Sequence, residues 1–341
     1  MSPVDLTTIK RLVVRAPNWL GDAVMALPAI AALRDGLPEV TLAIAAIPSV
    51  APLFVEHIDA EPDEILTIDE AASEPRTLAA GQFDAILLLP NSFRSAWTAR
   101  RAGIRGRWGY GGNLREPLLT VRVPHPKTRV HQSVWYSELV RGLGVEFTHR
   151  LPRVTVKPRT GERAAALLAE HGVRPASVIV GFAPGAAYGH AKRWPPARVA
   201  ETIARLTGER QATCVLVGAA ADRDSGREIE SLLPADSRIV NLIGRTDLRV
   251  LAGVLAACSA FVSNDSGAMH LAAAVGVPVT AIFGPTDERV TAPLGDHDVL
   301  LHPVFCRPCM LRDCPIDHRC MRGITVDAVV TAVSRRLEGA A

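Results

Sequence analysis

The chain has 341 residues, of which 48% are apolar, 21% charged and 5% aromatic. That balance excludes disorder, a collagen-like repeat and a disulfide mini-scaffold, and at the usual domain size it predicts about two domains. Lys and Arg number 38 against 35 Asp and Glu, a net charge of +3, so the global field gives no argument for nucleic-acid binding and any anionic partner must meet a local patch.

The first apolar stretch, residues 12–14, is interrupted by Arg15, Pro17 and Asn18, so no secretion signal is expected and a cytoplasmic location is. Residues 266–286 carry no formal charge, but His270, Gly276 and Pro278 divide them into a helix followed by a strand rather than a membrane span. Strands are predicted at 12–16, 41–47, 64–68 and 84–89, with helices at 23–33 and 130–143. A second series follows, with strands at 178–182, 213–217, 239–243, 260–263 and 277–283 and helices at 195–206, 225–233, 248–257 and 266–275. This alternation predicts parallel sheets covered by helices on both faces.

Prolines 152, 158 and 175 bracket a helical segment at 161–171, the best linker between the two series. The expected organisation is a first Rossmann-like domain over 1–155, a linker over 156–176, a second domain over 177–324 and a closing helix within 325–341. Two doubly wound α/β domains facing a central cleft would direct both sets of strand C-termini, and their loops, towards it.

Four strand-end motifs carry chemistry. The first strand runs into RAPNWLGD, which puts Asp22 at a strand-to-helix turn, where a carboxylate stays ionised and can take a proton from a hydroxyl or simply cap the helix. After the strand at 178–182 comes APGAAYGHAKRWPP. Its glycines allow close backbone approach, and Lys192 and Arg193 arrive just before a Pro-initiated helix, a setting suited to a diphosphate but without Walker A spacing. Asp222 ends the LVGAAAD segment, where a carboxylate can hold ribose hydroxyls or cap a helix. In VSNDSGAMH, Asp265 leads into Ser266 and Gly267, whose N–H groups at a helix start suit a phosphate, with His270 one turn inside, as a ligand neighbour or a core histidine.

Two further features have no motif-level reading. Between Arg94 and Arg129 nine basic residues face one acid, Glu116, with Trp97, Trp108 and Tyr110 interleaved. A surface of this kind suits a phosphorylated or carboxylated glycan, or an anionic membrane face. Cys306, Cys309, Cys314 and Cys320 lie within fifteen residues. They suit a structural metal site, although the spacing is not that of a zinc ribbon, and reduced thiols or disulfides are the alternatives.

With NWLGDAVMALPA, GAAYGHAKRWP, NDSGAMHLAAAVGVPVTAIFGPTD and CRPCMLRDCPIDHRCM in this order, the chain resembles the ADP-heptose:lipopolysaccharide heptosyltransferases of glycosyltransferase family 9, over residues 10 to 335. The cysteine run is like that of the type II branch. The resemblance implies a GT-B fold, with the acceptor on the first domain, the nucleotide-sugar on the second and a last helix returning to the first. It implies that Asp22 is the catalytic base and Lys192 the cation that neutralises the departing diphosphate. Asp265, Ser266, Gly267 and His270 would line the donor, and Asp222 would lie near the ribose. The implied reaction is inverting transfer of heptose from ADP-heptose to the first heptose of the phosphorylated inner core, with no cofactor, no nucleic acid and peripheral contact with the inner membrane. A different acceptor (Kdo2-lipid A or a protein), a nucleotide-sugar epimerase and a non-enzymatic nucleotide-sugar module are the competing readings.

Overall fold

The computed structural model describes residues 5–70 and 72–339. The chain divides into two compact units, Met1–Thr155 and Val156–Ala341.

The strands of the first unit are β1 (Arg11–Arg15), β2 (Thr41–Ala46), β3 (His57–Ile58), β4 (Glu64–Thr67), β5 (Ala85–Leu88), β6 (Gly106–Tyr110), β7 (Val121–Val123) and β8 (Val154–Thr155). Its helices are α1 (Leu20–Gly36), α2 (Glu74–Ala80), α3 (Phe93–Arg101) and α4 (Gln132–Arg141). Six strands form one parallel sheet in the order β4-β2-β1-β5-β6-β7, and β3 pairs with β8 in a small antiparallel ribbon. Residues 12–14 of β1 and all of β5, the central strands, are apolar and buried on both faces, as a sheet covered on both sides requires. Helix α1 starts at Leu20, earlier than its apolar run suggests, and is buried continuously from Ala23 to Leu33 against α4. It continues through Pro28, which removes one N–H from the helix ladder.

The second unit repeats the plan with β9 (Ile179–Ala183), β10 (Thr213–Leu216), β11 (Ile239–Asn241), β12 (Ala260–Asn264), β13 (Val279–Phe283) and β14 (His297–Leu301). The helices are α5 (Pro158–Glu170), α6 (Pro196–Arg210), α7 (Arg223–Ser231), α8 (Leu248–Ala256), α9 (Gly267–Ala274), α10 (Glu288–Thr291), α11 (Arg319–Arg322) and α12 (Val326–Gly339). The parallel order is β11-β10-β9-β12-β13-β14.

Two segments sit differently from their sequence reading. The stretch read as a linker contains α5, which packs on α8: Gly253 leaves room for Ala164, and Arg249 donates to Thr160 Oγ1 at 2.9 Å. The closing helix α12 lies within the second unit, where Val326, Val329, Val330 and Val333 join the core beside α6.

The basic stretch from Arg94 to Arg129 is a fold element as well as a surface, since it contains α3, β6 and β7. Two of its arginines turn inward. Arg115 is fully buried and donates to the Tyr110 and Pro90 carbonyls and to Asn91 Oδ1. Burial among these neutral acceptors pushes its guanidinium down to about 10, so it remains charged at neutral pH. Arg107 is taken up by the carbonyls of Leu118, Ile104 and Arg105. Trp108 and Tyr110 are buried, while Trp97 is half exposed.

One buried ion pair fixes the end of β1. Arg15 Nε meets Glu74 Oε1 at 2.6 Å, with both side chains buried, and the same guanidinium holds the Ala16 carbonyl and Asn18 Oδ1. Glu74→Ala strands that cation, so the variant is expected to lose about 3 kcal/mol of stability in urea unfolding. A midpoint equal to the parent's would show that the remaining acceptors suffice.

Candidate functional site

Each sheet reverses its strand order once, between β1 and β5 in the first unit and between β9 and β12 in the second. At such a reversal neighbouring loops leave in opposite directions and open a crevice at the strand C-termini. Asp22 follows β1, and Lys192 and Asp265 follow β9 and β12, the strands at these reversals.

In the first unit, Asp22 lies in the first turn of α1 and is not its cap, since Trp19 occupies that position. A carboxylate here is favoured by the positive end of the helix dipole. Tyr136 of α4 donates to Asp22 Oδ1 at 3.2 Å. Burial, reinforced by the negative charge of Asp22, pushes the Tyr136 hydroxyl well above its usual value, so it stays protonated as a donor. A separate pocket of about 220 Å³ opens at the strand ends. Arg15 and Asn18 line it after β1, Ser92, Arg94 and Ser95 at the start of α3, and Asp69 and Glu74 across it. Asp22 is not among its walls.

In the second unit, Lys192 Nζ meets Asp265 Oδ2 at 2.6 Å, with both side chains largely buried, and Thr286 donates to the same oxygen at 2.7 Å. Asn264 joins the loops that bracket this pair. Its amide donates to the Pro184 carbonyl at 2.7 Å and its Oδ1 accepts from Trp194 N at 3.2 Å. Beyond Asp265, Ser266 caps α9 from an extended backbone, and Gly267 begins the helix, so the first-turn N–H groups have no acceptor within it. The Ser266 hydroxyl is shared with Ser263 at 3.0 Å. His270 is buried one turn further in.

Asp222 stands at the N-cap position of α7. Only 8% exposed, it pairs with Arg193 at 3.1 Å and accepts from Ala219 N at 3.3 Å. A Cβ at Gly185 would fall 2.3 Å from its carboxylate, so that glycine is required by close approach. The geometry assigns Asp222 to closing its own loop against the Lys192 loop. Arg193 Nε, buried beside it, has no hydrogen-bond partner among the described residues.

The four C-terminal cysteines are free thiols, with Cys320 buried and the others partly so. Among the described residues no group of three or more His, Cys, Asp or Glu is arranged to hold a metal ion, so the structural-metal reading has no support here. Burial, and then the nearness of Cys306, Cys309 and Cys314, pushes the Cys320 thiol up. What the segment does is hold the Lys192 loop. Tyr188 Oη donates to the Met310 carbonyl at 2.9 Å, and Ala191 N to the Arg312 carbonyl at 2.9 Å. Lys192 Nζ and the Arg312 guanidinium lie 4.8 and 5.2 Å from the centre of the Tyr188 ring.

Four contributors were not singled out from sequence: Tyr136, Asn264, Thr286 and the 310–312 backbone. A tyrosine in an amphipathic helix and main-chain carbonyls carry no local signal; Asn264 and Thr286 adjoin the motif and stood within reach.

A model of glycosyltransferase family 9 (heptosyltransferase) matches residues 73–319, well over half of the chain. The chain belongs to glycosyltransferase family 9. Lipooligosaccharide heptosyltransferase 2 of Haemophilus influenzae is 31% identical over 310 residues, 85% of this chain and 88% of that one. Lipopolysaccharide heptosyltransferase 2 of Escherichia coli K12 is 32% identical over 299 residues, 83% and 85% of the two chains. The solved structure of Escherichia coli ADP-heptose LPS heptosyltransferase II superposes with a TM-score of 0.83 at 28% identity, over 96% of this chain and 99% of that one. This family 9 chain is therefore a glycosyltransferase with a GT-B fold.

The grip of the cysteine segment on the Lys192 loop can be measured. A Cβ at Gly189 would fall 2.3 Å from the Arg312 carbonyl oxygen, so Gly189→Ala is expected to cost about 1–3 kcal/mol by overpacking. The displaced segment would release Ala191 N–H, seen as faster amide exchange at that residue. Unchanged exchange at Ala191 would count against the contact.

Proposed function

We propose that this enzyme transfers heptose from ADP-heptose, with inversion, to the first heptose of the lipopolysaccharide inner core. The observation that carries the reading is the Lys192–Asp265 pair set beside the open N-terminus of α9, in a chain about 30% identical to heptosyltransferases of the second type. Donor and acceptor take the roles that each unit's chemistry fits.

The second unit holds the nucleotide-sugar. Lys192, with the N–H groups of Gly267 and Ala268, faces the diphosphate and stabilises the charge that builds on it as the glycosidic bond breaks. Asp265 and Thr286 keep the ammonium aimed while the leaving group is absent. Charge compensation by a lysine and a helix terminus assigns no step to a metal. The first unit holds the acceptor. Asp22, oriented by Tyr136, takes the proton of the acceptor hydroxyl as its oxygen attacks the anomeric carbon; the new C–O bond forms as the bond to ADP breaks. The pocket walled by Asn18, Ser92, Ser95 and Arg94 supplies hydrogen-bonding groups of the kind a polyhydroxylated, phosphorylated glycan uses.

An acceptor of this type is embedded in a membrane by its lipid. No helix among the described residues is long and apolar enough to cross one, so the reading places the enzyme peripherally at the cytoplasmic face of the inner membrane.

The decisive experiment offers ADP-heptose with Kdo2-lipid A and, in parallel, its mono-heptosylated form, and follows product mass. One heptose added only to the mono-heptosylated acceptor is the expected result. Addition to the unheptosylated acceptor would make this the first-heptose enzyme, and donor isomerised without acceptor would indicate an epimerase. Asp22→Asn is expected to lower turnover by at least about a hundredfold with ADP affinity unchanged. Lys192→Ala is expected to weaken ADP binding in calorimetry and to slow transfer; normal values of both would remove it from the donor site.

A further inference from the structure

We infer that α3 is the enzyme's membrane-docking element and that it lies on a surface rich in anionic lipid headgroups. The inference rests on the peripheral location proposed above and names the surface responsible. At 100° per residue, Arg100, Phe93, Trp97, Arg101 and Arg94 follow one another around a single arc of about 120°. Ala96, Thr98 and Ala99 are buried on the rest of the helix.

The exposed arc has an unusual composition. Phe93 is 48% and Trp97 46% exposed, and their rings stack with centroids 6.3 Å apart and planes at 14°. Folding has thus left two large aromatic rings half in water and paired with each other instead of with the core. All three flanking arginines are exposed. The helix contains no acidic residue, and among the described residues no ion pair engages Arg94, Arg100 or Arg101. Aromatic rings in the centre with cations on both sides is the arrangement by which a helix lies in a lipid interface: rings at the depth of the headgroups, guanidinium groups on their phosphates. The charge is one-sided, which matches an anionic surface and disfavours a mixed-charge protein face.

Position supports the same reading. Ser92 caps α3 by accepting from Ser95 N at 3.1 Å, and Ser92, Arg94 and Ser95 also line the pocket at the strand ends. The first turn of the docking helix is therefore the rim of the pocket assigned to the acceptor. A glycan rising from a lipid anchor beneath α3 would meet that pocket without leaving the membrane surface.

The test measures co-sedimentation of the full chain with vesicles of phosphatidylglycerol and phosphatidylethanolamine, and with phosphatidylcholine alone. Arg94 is left intact because it lines the pocket. The expected result is binding to the anionic vesicles only, lost at high salt. Binding should fall about thirtyfold in the double variant Arg100→Gln/Arg101→Gln, from roughly 1 kcal/mol per charge. Trp97→Ser should also weaken it. In the arginine variant, transfer to a de-acylated, water-soluble acceptor should keep the parental rate, which shows an intact fold and separates this inference from the reaction itself. If the parent ignores anionic vesicles, or the arginine variant binds them as well as the parent does, α3 is not the docking element, whatever the soluble assay shows. Failure of transfer to the soluble acceptor by the parent, with vesicle binding intact, would instead overturn the proposed reaction.

Discussion

In a parallel sheet whose strand order reverses, the loops at the reversal part company and leave a crevice walled by main chain. The constraint operates twice here, at β1/β5 and at β9/β12, and the site chemistry hangs from it. Asp22 follows β1, the Lys192 loop follows β9 and Asp265 follows β12. Buried polar side chains bond to the backbone of the loops that follow these strands. Asn264 ties the β9 and β12 loops together, and Arg115 gathers the β5 loop with the end of β6. Buried polar groups of this kind are specific because leaving them unmade is so costly.

The two units solve the problem of presenting a charge differently. Lys192 is paired with a carboxylate in advance and largely withdrawn from water, so a diphosphate would compete for a cation that is already oriented. Asp22 is met by a neutral hydroxyl whose proton is secured by burial. One arrangement stores charge against an opposite charge. In the other a neutral donor orients a carboxylate.

The alternating pattern and the strand-end motifs were legible in the sequence because parallel strands buried on both faces read as uninterrupted apolar runs. That is why 12–16, 178–182 and 260–263 match β1, β9 and β12 to within a residue or so. Strands β6 and β7 are not legible for the opposite reason: Gly106–Tyr110 and Val121–Val123 carry arginines and glycines in place of an apolar run. The same arginines made the stretch look like surface, and Arg115 shows that a cation can be core when main-chain carbonyls surround it. Asp222 left two readings open, a ribose contact and a helix cap. A carboxylate after a strand is a familiar ribose contact, but whether it points outward depends on a neighbour, Arg193, that lies far from it in sequence.

The cysteine segment grips the Lys192 loop through the carbonyls of Met310 and Arg312, atoms that every amino acid possesses. Those two hydrogen bonds do not depend on side-chain identity, although Arg312 adds its guanidinium over the Tyr188 ring, and the number of residues between β14 and α11 sets where the carbonyls fall. Across relatives, a single insertion or deletion in this segment should disturb the loop more than loss of the Arg312 side chain alone, and length is the property by which its variants should be sorted.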